Sequence, residues 1–149
     1  MSRLTGPVMV SPATDSTTRH ATAQVPVGTR AESFDGAFAY VTAGGTISSG
    51  GDPVSVAGGL DAVVRGDADV GAFLGIAEAA FASGESGFVR TKGPTTAVVE
   101  SGAAAGDYLE LSDTVGKLEV LASGVPVAIA LEASDDDGVD QIDIYVLGR

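Results

Sequence analysis

Ile142-Asp143-Ile144-Tyr145-Val146 carries an apolar residue at every second position. Successive side chains of a strand point to opposite faces, so this alternation predicts a strand with one buried face. Similar short runs precede it. Working backward they are Val125 to Leu131, Leu118-Glu119-Val120-Leu121, Tyr108-Leu109-Glu110-Leu111, Ala97-Val98-Val99 and Phe88-Val89-Arg90. Before these come Phe73-Leu74-Gly75-Ile76-Ala77, Leu60-Asp61-Ala62-Val63-Val64, Val54-Ser55-Val56 and Ala37-Phe38-Ala39-Tyr40-Val41. Turn residues separate them at the spacing of an all-β chain. The expected fold is a small β-sandwich, or a barrel or tulip of short strands. Helix is limited to single turns near Asp67–Ala72 or Glu78–Ala82, because 21 glycines, at about 0.5–1 kcal/mol each inside a helix, disfavour more.

Composition narrows the function classes. Aromatics are 5% of 149 residues and Trp is absent, so Val, Leu, Ile and Ala must build the core. The net charge is −12 with only two lysines, Lys92 and Lys117. Binding phosphates requires clustered Lys and Arg, so direct nucleic-acid binding is not expected, nor docking on an anionic membrane. No apolar run reaches the length of a membrane-spanning helix, and the first twenty residues hold no stretch of signal-peptide length. The absence of Cys removes disulfides and thiol chemistry. From Glu100 onward eleven acids face only Lys117 and Arg149. Few lysines and dense carboxylates form the composition of a protein adapted to concentrated salt, where screening lets like charges sit close.

Residues 1–24 read as an extended arm before a single β-domain at 25–149. The arm is rich in Ser, Thr and Pro, and its one apolar cluster is Val8-Met9-Val10 between Pro7 and Pro12. Proline favours extended backbone there. Such an arm can order by adding a strand to a partner, which makes Val8, Met9 and Val10 the expected anchors.

The domain also contains an internal echo, 40–93 against 97–148. Val41 is matched with Val99 and Gly51-Asp52 with Gly106-Asp107. Val54 and Val56 are matched with Leu109 and Leu111, and Ala62-Val63-Val64 with Glu119-Val120-Leu121. Gly75-Ile76-Ala77-Glu78-Ala79 is matched with Ala128-Ile129-Ala130-Leu131-Glu132-Ala133 at a one-residue offset, and Phe88-Val89-Arg90 with Ile144-Tyr145-Val146. Half a small β-fold cannot bury its own face, whereas two halves can.

Catalytic patterns are missing. His20, the only histidine, falls in the arm, where a general base would lack an ordered site. Asp135-Asp136-Asp137-Gly138-Val139-Asp140 opens like a calcium loop but lacks the closing Glu, and is read as a solvated turn. Glu78 and Glu132 fall at matched places in the echo, yet a paired-carboxylate glycosidase would also want aromatic platforms. No enzyme activity, cofactor or metal is expected.

Asp69-Val70-Gly71-Ala72-Phe73-Leu74-Gly75-Ile76-Ala77-Glu78-Ala79, followed by Gly84-Glu85-Ser86-Gly87-Phe88-Val89-Arg90, resembles a recurring segment of small head decoration proteins of tailed viruses, the lambda-type and related capsid-stabilising families. So does Val125-Pro126-Val127-Ala128-Ile129-Ala130-Leu131-Glu132-Ala133 with its closing strand. The resemblance implies a structural protein on the exterior of a virion, a homotrimer bound to the outer surface of the major capsid protein. With the acidic composition it points to a virus of a halophilic archaeon. Two alternatives stand beside it: a turret, spike-base or tail component, and a secreted β-module that binds carbohydrate or protein. Phe73, Leu74, Phe81 and Phe88 are the expected subunit contacts, since they crowd one stretch of a small domain.

Overall fold

The computed structural model describes residues 16–135 and 141–148, together with the backbone of Val8–Met9. The protein is all-β, and among the described residues there is no helix, hence none long and apolar enough to cross a membrane. The strands are β1 (Val8–Met9), β2 (Arg30–Ser33), β3 (Gly36–Thr42), β4 (Pro53–Val56), β5 (Val64–Arg65) and β6 (Ala72–Ile76). They continue with β7 (Ser86–Val98), β8 (Tyr108–Leu111), β9 (Leu118–Val120), β10 (Ala128–Ala130) and β11 (Gln141–Val146). Where single helical turns are expected, the chain makes one hydrogen-bonded turn, Val70 N donating to Asp67 O at 3.0 Å, and a bend from Glu78, neither of them helix.

All strands join one sheet, ordered β1-β2-β3-β7-β11-β10-β8-β9, with β6, β4 and β5 branching from β7. Every pairing is antiparallel except β1 on β2. The sheet is not closed into a barrel. The 13-residue β7 is the joint. Its first half pairs with β3 and its second half with β11.

The pairings of the N-terminal half recur in the C-terminal half. Tyr40↔Phe88 and Val41↔Gly87 correspond to Thr96↔Asp143 and Ala97↔Ile142. Val54↔Arg65 and Ser55↔Val64 correspond to Leu109↔Val120 and Glu110↔Glu119. Pro53↔Ile76 and Val54↔Gly75 correspond to Tyr108↔Ile129 and Leu109↔Ala128. Ile76↔Arg90 matches Ile129↔Tyr145, and the single parallel bridge Ala43↔Val63 matches Val99↔Leu118. Loop bonds repeat as well: Gly51 N and Gly106 N donate to the carbonyls of Ala77 and Ala130, at 2.7 Å each.

This register shifts several of the matches read from sequence. Val41 corresponds to Ala97, Val63 to Leu118, Val89 to Ile144, and Glu78 to Leu131 rather than Glu132. Matching hydrophobic letters slid the strands by one or two places, and only the ladder fixes which residues share a face.

Two hydrophobic clusters follow the two halves. Val41, Ile47, Val54, Val63, Ala77, Phe81 and Val89 form one. Ala97, Ala103, Leu109, Leu118, Ala130, Ile142 and Ile144 belong to the other, which also takes in Ile76 from β6. Corresponding positions differ in size: Ile47 and Phe81, bridged to each other, stand where the second half has Ala103 and Ser134. Gly75 is dictated by strand spacing, since a Cβ there would collide with the Arg90 carbonyl on β7.

Candidate docking surfaces

The expected arm is only partly an arm. β1 lies parallel along β2, with Val8 opposite Ala31 and Met9 opposite Glu32. Val10 lies outside the described residues, as do residues 136–140 of the acidic loop. Further on, the chain is pinned to the body. His20 exchanges two backbone hydrogen bonds with Ser86, both 2.8 Å, and its Nδ1 is 3.0 Å from the Tyr40 hydroxyl. Arg19 donates to the carbonyls of Ala79 (2.8 Å) and Ala80 (3.2 Å) while its guanidinium lies 3.7 Å from the centre of the Phe81 ring. Burial lowers the Arg19 pKa to about 10, against the opposing pull of Glu85 and Glu78, which leaves it charged at neutral pH. His20 is thus a structural residue on the sheet and not a loose one.

Of the expected subunit contacts, Phe81 is 1% exposed and belongs to the core beneath Arg19, so it offers no contact surface. Phe88 is half-buried and meets Tyr40 edge-on, with ring centres 5.0 Å apart. Phe73 and Leu74 are half-buried and reach a cleft of about 900 Å³ between the two halves. These four side chains do not form one surface: Phe81 is buried, and although Phe73 and Leu74 both line that cleft, Phe73 packs on the C-terminal cluster and Leu74 on the N-terminal one.

The cleft has an apolar wall including Leu111, Val125 and Val127, and an acidic rim of Glu110, Asp113 and Glu119. Glu110 and Glu119 are opposite one another on β8 and β9. The pKa of Glu119 is raised to about 7, first by desolvation, then by a hydrogen bond with Glu100 and the charges of Glu100, Glu110 and Asp113. Glu110 escapes part of this crowding by accepting from Gly124 N at 2.6 Å. Such a rim repels anionic ligands. The two carboxylates weighed as a glycosidase pair are otherwise engaged. Glu78 accepts from Arg90 Nε (2.9 Å) and the Thr95 hydroxyl (2.6 Å), and Glu132 accepts from Asp143 N (3.1 Å). Among the described residues no group of His, Asp and Glu is arranged to hold a metal ion.

Sequence reading missed other exposed apolar groups. Phe34 is fully exposed at the tip of the β2–β3 hairpin, beside the edge that β1 covers. Its flanking Ser33 and Asp35-Gly36 mark a turn, and an aromatic residue in a turn has no core to enter. Tyr108 and Tyr145 are 51% and 37% exposed, whereas Tyr40 is 1% exposed. No family model matches this sequence, and no curated protein matches it.

Proposed function

We propose that this chain is a structural virion protein that decorates an icosahedral capsid and stabilises it by binding the outer surface of the major capsid protein. The observation that carries the reading is the short parallel strand at the sheet edge. Among the described residues β1 meets β2 through two residue pairs, beside a hairpin that presents Phe34 to solvent. A backbone hydrogen bond contributes about 0.5–1.5 kcal/mol net. Exchanging so short a strand for a partner's strand therefore costs little, and β2 or the freed arm can then pair with the capsid. The interlocked β-body suits a clamp, because a fixed shape transmits load between the subunits it bridges.

The test is the protein content of purified virions together with binding to shells of the cognate major capsid protein. The chain should be present at a copy number close to that of the major capsid protein and should saturate empty shells. Deleting residues 2–15 should abolish shell binding while leaving the body folded. Absence from virions, or full shell occupancy by the truncated chain, would overturn the proposal or its arm mechanism respectively.

A further inference from the structure

Followed backward from Ala31, the β2–β3 ladder leads to the mouth of the cleft. Arg30 pairs with Ala39, and Gly28 N and Thr29 O bond to Tyr40 across the same hairpin. Gly28 and Arg30, two positions apart and so on one face, line the cleft together with Ala39. Leu60 lies at this end, its Cδ1 3.6 Å from the place a Cβ on Gly28 would take. β1 is parallel to β2, with Val8 opposite Ala31. The strand direction therefore aims the chain that precedes Val8 toward Arg30 and Gly28, and away from the Phe34 tip. Its sequence is Met1-Ser2-Arg3-Leu4-Thr5-Gly6-Pro7. Gly6-Pro7 is a turn signal next to the strand, and before it a cation and an aliphatic side chain stand in succession. The cleft offers the complement. Its apolar wall includes Leu60, Leu74, Val125 and Val127, and on its rim Glu110, Asp113 and Glu119 outnumber Arg30, the one cation among its described lining residues.

We infer that residues 1–7 of this chain turn over the edge of the sheet and enter the cleft, seating Leu4 on its apolar wall and Arg3 against its acidic rim. Four residues of extended chain reach about 13 Å from Val8, so Leu4 can enter without unpairing β1. Burial of Leu4 and attraction between Arg3 and the carboxylates favour seating, and the lost freedom of the segment opposes it. The two sides are close in size, which makes the segment a displaceable cover and not a fixed strand. A strand that replaces β1 on β2 also withdraws this segment, so the sheet edge and the cleft open together. Seating occurs in the free chain and is independent of shell binding, so either can fail without the other.

The absence of native Cys makes this contact readable by cross-linking. Oxidised full-length Leu4→Cys/Val125→Cys should form a disulfide within one chain, seen as a monomer with no free thiol, whereas Leu4→Cys/Phe34→Cys should not. Val125 and Phe34 are both exposed, and a freely moving tail would reach both. Adding Arg3→Glu to the first pair should lower its yield about threefold, the scale of an exposed ion pair, and adding Asp113→Arg as well should restore it. Recovery by the swapped charges separates the contact from damage to the body, and circular dichroism should show the same β spectrum for every variant. Equal yields for the Val125 and Phe34 pairs, or no disulfide in either, overturn the inference. So does a disulfide that forms only between chains when Leu4→Cys and Val125→Cys proteins are mixed, which would place the segment in a neighbour's cleft. A yield unchanged by Arg3→Glu overturns the role given to the rim.

Discussion

Arg90 Nε donates to Glu78 Oε2 at 2.9 Å in the N-terminal half, while the ladder places Tyr145 and Leu131 at the corresponding positions of the C-terminal half. The same backbone pattern thus carries a buried ion pair in one half and, in the other, apolar side chains that are 37% and 51% exposed. Arg90 also lies 3.7 Å from Asp35 and 4.7 Å from the Phe38 ring centre. Removing one partner of a buried pair strands the other, so Arg90→Ala should destabilise the fold by about 3–5 kcal/mol in urea unfolding. Transplanting the other half's residues, Glu78→Leu with Arg90→Tyr, should cost less than that single change, because neither charge is then left unpaired.

Two truncations should separate the strand-forming segment from the pinned one. Deleting residues 2–15 removes only the two-residue β1 pairing among described contacts, so unfolding should shift by no more than about 1 kcal/mol. Deleting residues 2–20 also removes the Arg19 and His20 bonds and uncovers Phe81. Its expected cost is about 2–4 kcal/mol, since hydrogen bonds from a charged group contribute about 1.5–3 kcal/mol. Equal midpoints for the two truncations would show that Arg19 and His20 contribute nothing to stability.

Glu119 predicts a pH dependence of the opposite sign to an ordinary paired carboxylate. It keeps its proton up to about 7 in the folded state, against 4.5 as its ordinary value. Between those values the folded state binds the extra proton, so this group's contribution is most favourable below the ordinary value and is lost as pH rises through about 7. Glu119→Gln should raise Tm at about pH 8 by about 2–4 °C, equivalent to about 1 kcal/mol or less once solvent screening is counted. Near pH 4 the gain should vanish. An equal gain at both pH values would mean that Glu119 is not the titrating group.

Salt should stabilise the fold. Screening shortens from about 10 Å at 0.1 M to about 3 Å at 1 M, and the chain carries a net charge of −12. Thermal unfolding followed by circular dichroism in KCl should shift upward across that range. A Tm that does not change would remove the salt-adapted reading of the composition.

The β class was legible because period-2 alternation survives in Ile142–Val146 and Tyr108–Leu111, and Gly-rich turns separate the runs. The existence of an echo was legible in Gly51-Asp52 and Gly106-Asp107, which the structure places in corresponding loop bonds. Its register was not. Val63 and Val64 look alike as letters, and only pairing with β4 and the bridge to Ala43 decides which faces the core. Phe81 drew attention as a contact residue because it is large; in the fold it is the core's plug beneath Arg19.

By itself the sequence determined what local chemistry controls: strands, turns, an acidic and cysteine-free surface, and a core without Trp. Tertiary structure decided which of two corresponding ladder positions is buried. Ile76 and Ile129 occupy the same ladder position, yet Ile76 is fully covered and Ile129 is not. Burial depends on which surfaces meet when β7 carries the chain from one half into the other, and a strand's own alternation holds no information about what lies across its outer face.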